Sequence, residues 1–182
     1  MILCGKLSHV IYFSILILPI IHMKKTLAFL LCAMSPISMA IEVGANVPQC
    51  NLVDLSKNTA LSLSKTGKVV YVDFWASWCA PCAKSMPFLN ELHDQFNSKG
   101  LEIVGIDVDD DKADGLKFLE KVPVVFPTAT NPDAQCAAAF GVQTMPSSYL
   151  IDRKGKLRYI ELGFFNENKN DIRQKVEKLL AE

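Results

Sequence analysis

The chain has 182 residues, a length typical of one globular domain, and its 19 basic and 19 acidic residues give no net charge. Three of the basic residues and none of the acidic ones precede Ile41, so 16 basic and 19 acidic residues remain beyond that point. A slightly acidic domain argues against a nucleic-acid partner, because such partners are normally bound by a basic patch.

The first 40 residues have the composition of a targeting segment. A basic start at Met23-Lys24-Lys25 precedes the apolar run 26–34, and Ser38 and Ala40 supply the small residues of a cleavage site. We therefore predict a signal peptide that begins at Met23 and is cleaved after Ala40, export to the periplasm, and one domain over residues 41–182. Residues 1–22 contain a second apolar run, Val10–Ile21, and have two interpretations. Either translation starts at Met23, or this run belongs to a longer signal or to an N-terminal membrane anchor.

Beyond Ala40 the apolar pattern predicts alternating strands and helices. Two alternating segments flank a Ser-Lys-Asn turn and predict a β-hairpin, and an entirely apolar stretch then predicts a central strand. A helix interrupted by Pro87, which predicts a kink, follows that strand. The predicted bounds are strands over 50–55, 59–64, 69–75, 101–108, within 123–127, and over 142–152 and 156–162, with helices over 80–98, 112–121, 133–140 and at the C-terminus. This order predicts an α/β domain with helices on both faces of a mixed sheet.

The central strand runs into two cysteines, Cys79 and Cys82. Their spacing permits a small disulfide ring, and Cys79 would stand where the next helix begins. Free amide groups and the helix dipole favour a thiolate at that position, and the thiolate is the form that attacks disulfides. We predict a redox-active Cys79–Cys82 disulfide, with Cys79 as the nucleophile and Cys82 as the resolving thiol. A purely structural bridge is the alternative.

The stretch Val72-Asp-Phe-Trp-Ala-Ser-Trp-Cys-Ala-Pro-Cys82 resembles the active-site segment of the thioredoxin superfamily. With the N-terminal hairpin, the insertion before Pro146 and the Leu150-Ile-Asp-Arg-Lys-Gly155 turn, residues 42–182 are similar to the TlpA/ResA-like thiol:disulfide oxidoreductases of bacterial envelopes. The resemblance implies a thioredoxin-like fold with an added N-terminal β-hairpin and a central insertion. It also implies exchange of disulfides with substrate proteins and no cofactor.

Asp73 lies within the apolar central strand, where an unpaired carboxylate is costly. Burial would raise its pKa and make it a proton acceptor for Cys82, and the resemblance places an acid at the matching position of thioredoxin. The alternative is a carboxylate near a strand end that reaches water.

The resemblance assigns the opposite side of the site to Thr144-Met-Pro-Ser147. It implies a cis peptide bond before Pro146, which would leave the backbone of Met145 free to pair with an extended substrate. An ordinary trans proline at a strand start is the alternative. Trp78 and Pro81 are expected to border the disulfide and to contact the substrate.

Cys50 and Cys136 are the other cysteines beyond Ala40. In an oxidising compartment they would form a structural disulfide, although two separate buried thiols fit the sequence equally well.

No metal site is predicted. The aspartates within residues 107–114 lack the spacing of an EF-hand loop, and His93 is the only histidine beyond Ala40.

Three functions compete for this site. The preferred one is a dithiol reductase recharged by a membrane electron donor of the DsbD/CcdA type, and the alternative is a disulfide oxidase or isomerase. A non-catalytic metal-delivery protein would need a third ligand beside the thiols.

Two residues depart from the resemblance. Ser85 replaces a glutamate of many ResA-like reductases, so a specific role in cytochrome c maturation is not supported, and Gly105 replaces the lysine near the buried acid of thioredoxin.

Overall fold

The computed structural model describes residues 41–63 and 67–182. The predicted targeting segment over residues 1–40 and the last residue of the predicted hairpin, residue 64, lie outside the described residues. No helix in the described part of the chain is both long and apolar enough to cross a bilayer.

The described residues form seven strands and four helices. The strands are β1 (Leu52–Asp54), β2 (Ala60–Leu61), β3 (Val69–Trp75), β4 (Leu101–Asp107), β5 (Thr128–Thr130), β6 (Ser147–Ile151) and β7 (Leu157–Leu162). The helices are α1 (Ala80–Phe96), α2 (Lys112–Lys121), α3 (Gln135–Phe140) and α4 (Lys169–Ala181). Short 3₁₀ turns at Asn97–Lys99 and Asn166–Asn168 follow α1 and precede α4.

All seven strands belong to one mixed sheet, in the order β2-β1-β5-β4-β3-β6-β7. Strand β3 pairs in parallel with β4 and antiparallel with β6, and each of its residues is buried. Burial on both faces explains why its sequence is apolar throughout apart from Asp73. The antiparallel β1–β2 pair is the predicted N-terminal hairpin and lies at one edge of the sheet.

Helices cover both faces of this sheet. Helices α1 and α4 pack with Tyr71 in one apolar cluster, whereas Phe140 of α3 packs against Phe74, with ring centroids 5.3 Å apart. Side chains alternate along a strand, so Asp73 lies on the same face as Tyr71 and is covered by α1 and α4. The first turn of α1 carries Cys82. The fold therefore places Asp73 beneath the helix that carries the cysteine pair.

Several elements differ from the prediction. The strand expected over 142–152 begins only at Ser147, and the strand expected over 59–64 is limited to Ala60–Leu61 among the described residues. The short strand expected within 123–127 is wrong, because β5 starts only at Thr128. Pro123 and Pro127 bound the expected segment, and proline has no N–H to donate to a strand ladder. The predicted helix over 133–140 begins at Gln135 instead. Helix α1 continues through Pro87 as far as Phe96.

A second disulfide joins Cys50, which precedes β1, to Cys136 in α3. The two Cα atoms lie 5.2 Å apart, although 86 residues separate them in sequence. Helix α3 ends at Phe140, and the chain then leads directly into the loop before Pro146. The bond therefore fastens the N-terminal extension to the helix that supports this loop.

Replacing both cysteines, Cys50→Ala with Cys136→Ala, should lower the free energy of unfolding by about 2 to 5 kcal/mol, because the unfolded chain regains the freedom of a long loop. Urea denaturation of the two proteins, both with Cys79–Cys82 oxidised, measures the difference. The double variant avoids the unpaired thiol that a single substitution would leave. Equal urea midpoints would contradict the stabilising role of this bond.

Candidate active site

The junction between β3 and α1 positions the cysteine pair. Strand β3 ends at Trp75, and Cys79 is the N-cap residue of α1. Pro81 lies in the first turn of the helix, where a missing N–H leaves no hydrogen bond unmade. Asp109 holds the connecting turn, because its carboxylate accepts hydrogen bonds from the backbone N–H and the hydroxyl of Ser77, at 2.8 and 3.0 Å.

Cys79 and Cys82 form a disulfide across the first turn of α1. The backbone N–H of Cys82 donates a hydrogen bond to Cys79 Sγ over 3.2 Å. Cys79 is 3% exposed, whereas Cys82 is completely buried. In the reduced protein the same N–H and the positive end of the helix dipole would stabilise a negative charge on Cys79 Sγ. The arrangement can therefore generate a thiolate at Cys79 and shield the thiol of Cys82.

A groove of about 540 Å³ opens beside the disulfide. The start of α1 forms one wall, and the loop between α3 and β6 forms the other. Trp78 is 68% exposed and presents its ring to solvent at the rim. The described residues that line the groove all lack charged side chains: Trp78, Cys79, Ala80, Pro81, Val142, Gln143, Thr144 and Met145. Such a surface suits an uncharged, extended polypeptide segment more than a small ionic ligand.

The loop opposite the disulfide contains a cis peptide bond between Met145 and Pro146. The Ser147 hydroxyl donates to the Thr144 carbonyl at 2.8 Å, and the Gly163 N–H donates to the Pro146 carbonyl at 2.8 Å. Met145 also packs against the apolar cluster that contains both cysteines. These contacts hold the loop next to the disulfide and fix the second wall of the groove.

Asp73 is a carboxyl group that is 1% exposed in the centre of the sheet. Burial raises its pKa from the ordinary value of 3.8 to about 7, and a hydrogen bond from the Ser148 hydroxyl to Oδ1, 2.5 Å long, opposes part of that rise. Its Oδ2 atom has no hydrogen-bond partner among the described residues. A buried carboxyl with a pKa near neutrality can exchange a proton at physiological pH.

Gly105 of β4 is the partner of Asp73 in the parallel β3–β4 ladder. A Cβ atom at this position would lie 3.0 Å from Trp75 Nε1 and 3.3 Å from the Phe126 ring. The space beside Gly105 is therefore filled by apolar rings, and a longer side chain does not fit without displacing them. This packing explains why no basic side chain accompanies Asp73 on the β4 side.

The structure brings Trp78, Cys79, Pro81 and Met145 to one groove, with Pro146 buried behind it. Asp73 lies outside the groove lining, on the strand that leads to it, and the Cys50–Cys136 bond is also outside the lining. Within residues 41–63 and 67–182, no three metal-ligating side chains cluster together.

Sequence reasoning missed the partners that hold the site residues. Ser148 is a hydroxyl in a buried strand, which is a local signal, but its pairing with Asp73 depends on strand register. Asp109 is one of several aspartates in one loop, and nothing in the sequence distinguishes its contact with Ser77. The part of the wall formed by Val142 and Gln143 has no compositional signature.

Comparisons with known proteins agree with this geometry. Residues 42–179 match the redoxin family. The thiol-disulfide oxidoreductase ResA of Geobacillus thermodenitrificans is 34% identical over 140 residues, which cover 77% of this chain and 79% of that protein. ResA of Bacillus subtilis is 33% identical over 130 residues, covering 71% and 72% of the two chains.

Two solved structures are similar to this chain in fold. The crystal structure of a candidate thiol:disulfide interchange protein DsbE from Chlorobium tepidum superposes with a TM-score of 0.74 at 38% sequence identity. The match covers 78% of this chain and 99% of the other. A thioredoxin domain of a thiol-disulfide oxidoreductase from Bacteroides vulgatus superposes with a TM-score of 0.69 at 27% identity. The predicted thioredoxin-like fold is thereby confirmed.

The fold and the Cys79–Cys82 pair together define a thiol:disulfide oxidoreductase of the thioredoxin type. The chain belongs to the redoxin family and, within it, to the TlpA/ResA-like oxidoreductases. Its substrates are accordingly proteins that carry disulfides or thiols.

The Asp73→Asn variant tests the burial of this carboxyl. Between the ordinary pKa of 3.8 and the native pKa of about 7, the native state holds a proton that the unfolded state has lost. The wild-type protein should therefore lose stability as the pH rises through this window. An amide has no charge to bury and still accepts from Ser148, so the variant should be more stable above pH 7 by about 4 kcal/mol.

Urea denaturation at several pH values measures this difference. Well below pH 3.8 the two proteins should be equally stable, because Asp73 is then protonated in both states of the wild type. Asp107 also has a pKa raised by burial to about 7, but it is present in both proteins and cancels in the comparison. Stability curves that stay parallel over the whole pH range would contradict a buried, titrating Asp73.

Proposed function

We propose that this protein is an exported dithiol reductase that reduces disulfides in substrate proteins of the periplasm. The signal-like segment from Met23 to Ala40 supports export, and the Cys79–Cys82 pair supplies the electrons. A membrane dithiol donor of the DsbD/CcdA type restores the reduced form after each turnover. The substrate segment lies in the groove between Trp78 and Met145, beside Cys79.

The reaction begins with the reduced pair. The Cys79 thiolate attacks one sulfur of the substrate disulfide, and the other substrate sulfur leaves with the electron pair. This forms a mixed disulfide between Cys79 and the substrate. Cys82 then loses its proton to the Asp73 carboxylate and attacks Cys79 Sγ. The Cys79–Cys82 bond forms, and the second substrate sulfur leaves as a thiolate.

The backbone of Met145 supports the substrate during these steps. The cis bond places Pro146 behind the loop, and Met145 lines the groove within the cluster that contains both cysteines. An extended substrate segment would pair with the backbone here, as an added strand does at a sheet edge. Trp78 and Pro81 provide the apolar surface on the other side of the same segment.

The absence of charge in the groove lining is the observation that favours reduction over oxidation. In a strongly oxidising protein the reduced dithiol is stabilised relative to the disulfide, so the disulfide readily accepts electrons from other thiols. Around Cys79, the described lining residues contribute no cationic side chain, so stabilisation of the thiolate comes from the helix N-terminus and the Cys82 N–H. Asp73, which is buried on the α1-covered face of β3, is an acid, and its charge does not stabilise a thiolate.

The reduction potential of the Cys79–Cys82 pair tests this proposal. Equilibration of the purified protein with dithiothreitol or glutathione buffers should give about −270 mV or lower, the range of thioredoxin. The Cys50→Ala, Cys136→Ala variant, measured in parallel, ensures that only the active-site pair is titrated. A potential of about −120 mV, typical of a strong disulfide oxidant, would contradict the reductase and indicate an oxidase or isomerase.

A further inference from the structure

Three polar residues lie in one row across the sheet. Asp73 of β3 pairs with Ser148 of β6, and Ser148 pairs in turn with Glu161 of β7. All three side chains are on the face covered by α1 and α4, since directly paired residues of antiparallel strands point to the same side. This face is otherwise a large apolar cluster. A row of polar side chains through such a cluster requires an explanation.

Exposure increases steadily along this row. Asp73 is 1% exposed, Ser148 5% and Glu161 8%, and the row continues to Lys175 of α4, whose side chain is 25% exposed. Lys175 Nζ lies 2.6 Å from Glu161 Oε1 and 2.5 Å from Oδ2 of Asp171, which is 59% exposed. The row therefore leads from the centre of the sheet to the protein surface.

Within the part of the chain that the structure describes, the opposite direction along the sheet offers no comparable route. Beyond Asp73 on the β4 side stands Gly105, which has no side chain, and the Trp75 and Phe126 rings fill the space beside it. Below about pH 7 much of the reduced protein holds a proton on Asp73, and that proton must leave before the carboxylate can accept one from Cys82. The only hydrogen bond to the Asp73 carboxylate among the described residues comes from Ser148.

We propose that Ser148 and Glu161 form the proton exit of Asp73 and that Lys175 holds Glu161 in place at its outer end. This inference rests on the proposed role of Asp73 as the proton acceptor for Cys82. The protonated Asp73 gives its proton to Ser148 Oγ while the Ser148 hydroxyl proton passes outward to the Glu161 carboxylate. Glu161 then releases it to solvent. Asp73 regains its charge, and no electrons move in these steps.

The ionisable groups around the row are compatible with this path. Tyr71 of β3 stays neutral, because burial and then the charge of Asp73 raise the pKa of its phenol, and a hydrogen bond with the Ser148 side chain opposes only part of that rise. Helix α1 contributes Cys82, the proposed source of the proton. Helix α4 contributes Lys175 and Asp171, which lie at the outer end. Among these described groups, charged side chains therefore occur only at Asp73 and at the surface end of the row.

The test compares four variants of the full protein. Ser148→Ala removes the hydroxyl, Ser148→Thr keeps it, and Glu161→Gln removes the outer acceptor with little change of shape. Glu182→Gln is the matched control, because it also removes a carboxylate that ties β7 to the end of α4, through Arg158, but lies outside the row. Asp73→Asn is measured beside them, and urea denaturation establishes that each variant is folded.

The readout is the rate at which the reduced protein is oxidised by a peptide disulfide, followed over a pH series by stopped-flow fluorescence. Ser148→Ala and Glu161→Gln should each slow the reaction about fivefold or more, whereas Ser148→Thr and Glu182→Gln should stay within about twofold of wild type. Ser148→Ala should also move the midpoint of the pH profile upward, because the Asp73 carboxylate loses the donor that lowers its pKa.

The possible contrary outcomes are distinguishable. If Asp73→Asn slows the reaction while Ser148→Ala and Glu161→Gln do not, the proton exit is wrong and the role of Asp73 stands. If Ser148→Thr slows it as much as Ser148→Ala, packing and not the hydroxyl is responsible, and the exit is again wrong. If Asp73→Asn itself has no effect, both the exit and the proposed acceptor are overturned.

Discussion

The chemistry of this protein depends on the N-terminus of α1. One residue, Cys79, ends the connection from the central strand and caps the helix, and its sulfur already accepts the N–H of Cys82 at 3.2 Å. The disulfide ring, the uncharged groove and the loop before Pro146 are all arranged around this sulfur. The fully buried strand β3 fixes its position, because a strand packed on both faces cannot shift without disturbing both apolar clusters.

Burial has a different effect on each of two groups near the Cys79 sulfur. It shields Cys82, the proposed resolving cysteine, from solvent. It also raises the pKa of Asp73 to about 7, so that this acid can accept and release a proton near neutral pH. The close packing around Gly105 leaves no room for a longer side chain beside Asp73 on the β4 side, and the Asp73 hydrogen bond among the described residues comes from Ser148 on the β6 side.

The sequence predicted the fold wherever a pattern was local. The apolar run of β3, the helix after Cys79 and the glycine and proline breaks were sufficient for the sheet and its helices. The strand expected within 123–127 was wrong because the apolar residues there lie between two prolines. The row from Asp73 to Glu161 was not predictable, since it depends on which residues face each other across β3, β6 and β7. Strand register is a tertiary property that local patterns do not encode.

The most direct test of this account is the reactivity of the two thiols in the reduced protein. Brief alkylation with iodoacetamide over a pH series, followed by peptide mass spectrometry, gives the pKa and the rate for each cysteine. Cys79 should be modified first, with a pKa below the usual thiol value of about 8.5, while Cys82 should react slowly. Equal reactivity of the two thiols, or earlier modification of Cys82, would contradict the assignment of Cys79 as the attacking thiolate at the helix N-terminus.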